Sequence, residues 1–338
     1  MRSLERRLSA WLLFVGLALL VAVVVRVDAH EVFTLVSRAG RWLLVAIVLH
    51  MGSLACAAWA WRALVAYKVA PPGWRKSVAI YWVGQAFNAL TPGDALGEVA
   101  KGALASRSID GVLTAASLIT HRLLFAASGI ATGIVGSLLC LIHPQLPNRA
   151  VLVILGANLV AALSLVVVWQ TVWRGATPRI ARMLASTPFL SKRSRERLLS
   201  GGQQLDRELT SGARSGRRSG LRAVAWLAVM RGVQAVEMVV LLRPLMPDQS
   251  LWDLLLLGLL ARSAAQLAAW TAPWLPAQLG VLEGAQAFLF AALGLDPSSG
   301  VALQLLMRAR TLVFAVIGLG IGWRESHGSD VAGEEASL

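Results

Sequence analysis

Charge is scarce in this chain: Asp, Glu, Lys and Arg together make up 15% of its 338 residues. A soluble enzyme domain needs a polar surface, and the one long polar stretch is 174–222, so no soluble catalytic domain is expected within these residues. Cysteine occurs twice, at Cys56 and Cys140, each inside an apolar run. That excludes a disulfide framework and a cysteine-based metal site, leaving two small packing residues. The histidines, His30, His50, His121, His143 and His327, are scattered, and none stands at metal-ligand spacing with a carboxylate. No glycine-rich phosphate loop ends in Lys-Ser/Thr, and there is no nucleophile elbow. Neither a metal nor a cofactor is expected.

What is present is apolar. Hydrophobic residues make up 57% of the sequence, and mean hydropathy is +0.64. This reads as an all-α, polytopic membrane protein with about seven to eight transmembrane helices, two re-entrant or broken helical segments and a possible internal repeat. The formal net charge of +14 sits mostly between apolar runs. Its role is then topological, with anionic lipid rather than nucleic acid as the partner. Arg2, Arg6 and Arg7 precede a first apolar run at 8–25, and the loop 27–40 carries Asp28 and Glu31 against Arg38, which predicts a cytoplasmic amino terminus. The first run resembles a signal peptide, but it is long and ends in no clean cleavage motif, so it reads as a span. The second span, 42–66, returns to Lys68, Arg75 and Lys76.

The stretch 77–107 organises the first half. Its apolar run breaks at Thr91-Pro92-Gly93, short of the roughly 20 residues a span requires, and resumes with Asp94, Glu98 and Lys101 among alanines and leucines. A carboxylate at membrane depth costs about 2.5–3.5 kcal/mol on insertion scales. The segment therefore reads as a half-helix that enters the membrane and turns back around a polar site, open to the cytoplasm. The competing reading is a solvated loop in which Glu98 and Lys101 are ordinary surface charges. A long run at 111–142 follows, with His121 and Arg122 inside it. Arg122 is expected near the cytoplasmic boundary, within reach of Glu98.

Residues 174–222 hold twelve Lys or Arg against Glu196, Asp206 and Glu208. The bias predicts a cytoplasmic segment, either one or two amphipathic helices on anionic inner-leaflet lipid or a mobile connector. In the next span Arg231 and Glu237 lie about 120° apart around the helix, so each needs a partner on another helix. The span after that includes Arg262 and Gln266. A second broken segment, 270–297, carries Pro273, Pro276, Gly280 and Glu283 before a short apolar run. Two short, interrupted, carboxylate-bearing segments in the two halves are the pattern of a transporter's binding site. A basic group follows each carboxylate about 25 positions on, Arg122 after Glu98 and Arg308 or Arg310 after Glu283. The expected divisions are a first half, 1–173, the basic loop 174–222, a second half, 223–323, and a disordered acidic tail, 324–338.

The pattern Asn88-x-x-Thr91-Pro92-Gly93-x3-Gly97-Glu98-x2-Lys101, the pair His121-Arg122, and Pro276-x3-Gly280-x2-Glu283 before Arg308 together resemble the flippase-like transmembrane domain of lysylphosphatidylglycerol synthases and its stand-alone relatives. The resemblance covers about residues 8–323. It implies a multi-pass protein of the bacterial inner membrane that handles an aminoacyl-phospholipid, a polyprenyl-linked or a hopanoid-type lipid. The synthases' soluble aminoacyl transferase domain has no counterpart in these residues, so lysyl transfer is not expected. The family's second motif often has a Pro-x-Pro and a Gly-x-Gly, where this chain has Pro273-Trp274-Leu275-Pro276 and a single Gly280.

The expected function is a non-enzymatic lipid transporter or flippase. The alternatives are an intramembrane lipid-modifying transferase using Asp94 or Glu98 as base, or a non-catalytic partner in a lipid-synthesis complex. The expected substrate-binding residues are Asn88, Pro92, Asp94, Glu98, Lys101, Arg122, Arg231, Glu237, Gln266, Pro276, Gly280, Glu283, Arg308 and Arg310. The arginines would bond an anionic head, while Glu98 and Glu283 would orient them or carry a proton.

Overall fold

Long apolar runs punctuated by Pro, Gly and charge can satisfy their backbone in a membrane only as helices. The computed structural model describes residues 29–90, 95–143, 147–186 and 192–335, and within them every regular element is helical. In chain order these are α1 (Ala29–Arg38), α2 (Gly40–Val65), α3 (Trp74–Leu90), α4 (Ala95–Ala105), α5 (Gly111–Ile142) and α6 (Asn148–Trp173). There follow α7 (Ala176–Ala185), α8 (Lys192–Ser215), α9 (Arg217–Leu242), α10 (Leu251–Thr271), α11 (Val281–Ala292) and α12 (Pro297–Glu335). Among the described residues six helices are long and apolar enough to cross a membrane: α2, α5, α6, α9, α10 and the Pro297–Ile321 part of α12. The chain is a multi-pass membrane protein. The expected first span, 8–25, and the break with Pro92 and Asp94 lie outside the described residues.

Two features, at α1 and in the tail, differ from the sequence expectation. Residues read as a loop form α1, because Val32, Leu35 and Ala39 fall on one face and are buried against α12. Of the two alternatives for the basic segment the structure takes the helical one rather than the connector, with α7 and α8 packed on each other. The polar tail continues α12 to Glu335. Extending an existing helix avoids the cost of nucleating a new one.

Packing is built from small residues and polar clamps, as expected where lipid offers no hydrophobic drive. A Cβ on Gly133 of α5 would lie 2.4 Å from Asn158 Oδ1 and 2.6 Å from Ser263 Oγ. The Asn158 amide donates to Ser263 Oγ at 2.8 Å, joining α6 to α10 beside that glycine. The outer face of α6 exposes Leu152, Val153, Val160, Leu163 and Val167, an apolar surface suited to lipid. One core joins α9–α12 through Met238, Leu254, Leu260, Phe290 and Leu303. A second joins α2, α3, α9 and α12 through Leu54, Tyr81, Leu227, Met230 and Phe314.

Candidate functional site: a cation-lined cavity between two interrupted segments

The first interrupted segment is a tight helical pair. A Cβ on Gly97 of α4 would sit 1.9 Å from Asn88 Oδ1 and 2.2 Å from the Gly84 carbonyl oxygen, so the two backbones approach as closely as only glycine permits. Lys101, buried by this contact, lies 4.2 Å from the centre of the Tyr81 ring and donates to Glu98 Oε1 at 2.9 Å. Arg122 approaches the same oxygen from α5 at 3.8 Å.

The second segment turns between α10 and α11 through a 3-10 turn, Pro276–Gln278, in which Ala277 and Gln278 have φ near +50°. Glu283 holds this strained turn together. Its Oε2 accepts from the Gly280 amide at 2.8 Å, capping α11, and its Oε1 accepts from Arg308 Nε at 2.8 Å. Arg308 also donates to the Ala277 carbonyl at 2.9 Å. Thus one arginine on α12 ties both the carboxylate and the turn backbone.

Between the two segments lies a cavity of about 600 Å³. Of the expected site residues, Asn88, Glu98, Lys101, Arg122, Arg231, Gln266, Arg308 and Arg310 line it. Glu237, Gly280 and Glu283 do not. Both glutamates are fully buried behind the arginines they hold: Glu237 Oε1 serves Arg310, and Glu283 serves Arg308 and the α11 cap, the orienting role expected of Glu283. Pro276 contributes to the strained turn.

Arg231 and Glu237 take separate partners. Arg231 donates from Nη2 to the Phe125 carbonyl at 2.7 Å, from Nε to Ser128 Oγ at 3.0 Å and from Nη1 to Gln234 Oε1 at 3.1 Å. Glu237 binds Arg310 Nη1 across the bundle. Arg231 therefore rests on neutral acceptors. Arg262 has no ion-pair partner among the described residues, and its buried Nε has no hydrogen-bond partner there. Six cations, Lys101, Arg122, Arg231, Arg262, Arg308 and Arg310, line the cavity, against the carboxylates of Glu98, Glu237 and Glu283 in and behind its wall. A net positive chamber in an apolar bundle concentrates anions.

The family model described as Lysylphosphatidylglycerol synthase TM region matches residues 10–318. The chain belongs to this family. No curated protein and no solved structure matches it. The lysylphosphatidylglycerol synthase TM region encloses both interrupted segments and every residue that lines the cavity, and the chain is a membrane protein of a lipid-related family. Within it, Arg262, His50, Gln85 and Gln304 also line the cavity and were not among the expected site residues. Arg262 had a legible signal: it precedes Gln266 by four positions on an otherwise apolar helix, which puts both on one face. His50 had none beyond its presence in an apolar run.

Proposed function

We propose that this chain is a lipid transporter that admits the anionic head of an amphiphile into the cavity while its tail stays in lipid. The observation that carries this reading is the pair Arg231 and Arg262, two cations in the cavity wall with no carboxylate partner among the described residues. A charge kept at membrane depth without compensation marks a site whose counter-charge arrives with a ligand, and guanidinium suits the planar, multidentate recognition of phosphate. Leu312 supports the placement of the tail, since it lines the cavity and yet is 52% exposed, giving the chamber an apolar side toward the surrounding lipid.

In this reading α3 and α4 form a re-entrant hairpin that opens to the cytoplasm, and the basic helices α7 and α8 lie on the anionic inner leaflet of the bacterial inner membrane. The transferase reading needs a carboxylate available as base. Glu98 spends its Oε1 on Lys101 and Arg122, and this favours transport without chemistry.

The test is flux of fluorescent phosphatidylglycerol in liposomes holding the purified chain, with native mass spectrometry of retained lipid. Faster leaflet exchange than in empty liposomes, with the lipid chemically unchanged, is expected. Exchange no faster than in empty liposomes overturns the reading, and a covalently altered lipid replaces it with the transferase.

A further inference from the structure

We infer that His50 and Glu237 form a proton-binding site in the cavity wall, loaded as an anionic group enters. This adds a co-substrate to the lipid-transport reading and rests on that reading only for the identity of the anion.

The site is built from two orphaned atoms that face each other. Glu237 Oε1 is occupied by Arg310, while its Oε2 lies 3.5 Å from His50 Nδ1. Neither Oε2 nor Nδ1 has a hydrogen-bond partner among the described residues, and both atoms are buried. Buried polar atoms are almost always paired, and a neutral imidazole with its proton on Nδ1 pairs these two, which leaves the ring's other nitrogen to take an added proton beside a carboxylate that stabilises the imidazolium. Glu237 has no contact with the cavity of its own, but His50 lines it, so a proton from water in the chamber reaches the pair by way of the imidazole.

The surroundings couple that proton to an anion. Facing His50 are Glu237 from α9, Arg310 and the edge-on ring of Phe314 from α12, and Arg262 from α10. Two arginines and one carboxylate leave this group with one excess positive charge, and an added proton makes it two. An entering phosphate monoanion restores the original balance. The proton comes from water onto the His50–Glu237 pair and returns to water when the anion leaves, with no other bond made or broken. Binding of the two is reciprocal by linkage, each raising the affinity for the other.

Calorimetric titration of the full chain in detergent with dihexanoyl-phosphatidylglycerol, in two buffers of different ionisation heat, counts the protons. Wild type is expected to take up a measurable fraction of one proton per lipid bound between about pH 5 and 7. Glycerophosphoglycerol, the same phosphodiester charge without tails, separates a response to the charge from a response to the whole lipid. His50→Asn keeps a nitrogen or oxygen near the Nδ1 position but cannot titrate, so whatever lipid it binds brings no proton with it. Zero uptake by wild type across the range, or the same uptake per lipid in H50N, overturns the inference, and the wild-type count stands even if H50N does not fold. If phosphatidylglycerol fails to bind, the lipid reading alone falls. The proton site is then decided by infrared difference spectra across the same pH range. A carboxyl or imidazole band pair present in wild type and absent from H50N supports it, and identical spectra overturn it.

Discussion

Arg310 on α12 and Glu237 on α9 meet inside the bundle, 73 positions apart in sequence, while Arg262, on the same cavity wall, has no carboxylate partner among the described residues. The first arginine is part of the fold and the second is held ready for something outside it. That difference separates the mutational consequences.

Glu237→Gln is expected to strand the buried Arg310 and to destabilise the protein by about 3–5 kcal/mol, because deleting one member of a buried pair leaves an uncompensated charge. The double variant E237Q/R310M should recover most of that loss. Thermal unfolding in detergent of the two singles and the double measures the coupling, and simple additivity would rule out the pair as a stabilising unit.

Arg262→Met should behave in the opposite way. It removes a cation with no partner, so unfolding should change by less than about 1 kcal/mol or move toward greater stability. Affinity for anionic lipid should fall by about 10–100-fold, the worth of a charge-assisted hydrogen bond. Arg231→Gln should lose comparable affinity and also some stability, since Arg231 bonds Phe125 and Ser128. Binding of short-chain phosphatidylglycerol by both variants checks this, with phosphatidylcholine as the uncharged comparison.

Gly97→Ala should break the α3–α4 pair. The new methyl would lie 2.2 Å from the Gly84 carbonyl, and overpacking of this kind costs about 1–3 kcal/mol or more. Gly232→Ala, where nothing lies within 4 Å, is the matched control. Folded yield and melting temperature should drop for the first and not for the second.

Lys68, just past α2, donates to Glu208 on α8, and that hydrogen bond raises the lysine's pKa above its ordinary value of 10.5. A raised pKa means that the tether's contribution is complete below the ordinary lysine value and is lost as pH rises through the raised one. Protease protection of α8 should therefore be flat between about pH 6 and 9 and weaken only in strong alkali. The pair is exposed, so Lys68→Ala should loosen α8 locally without lowering global stability.

Cysteines placed at Lys76 and Arg107, both exposed and flanking the hairpin, should react with an impermeant reagent from the same face of the membrane, as should one at Ser211. Labelling of Lys76→Cys and Arg107→Cys from opposite faces would turn the hairpin into a full crossing. Cys56 and Cys140 are buried and leave the background low.

The sequence by itself determined the helical, membrane-spanning character, the breaks at Gly and Pro, and an arginine on the following helix as the partner within reach of Glu283. These are local properties: apolar length, the break that Pro and Gly impose, and partners one helix apart along the chain. It also pointed to Arg231 and Glu237 as residues needing partners from elsewhere. Only the tertiary structure decided who those partners are, because α9 meets α12 and α5 through contacts that no sequence spacing encodes. It decided, too, that Glu237 and Glu283 stand behind the cavity wall while Arg262 and His50 stand in it. Burial depends on which helix face meets which neighbour. On nearly uniform apolar helices such as α9 and α10, no hydrophobic stripe marks that face, so the sequence leaves it open and packing fixes it.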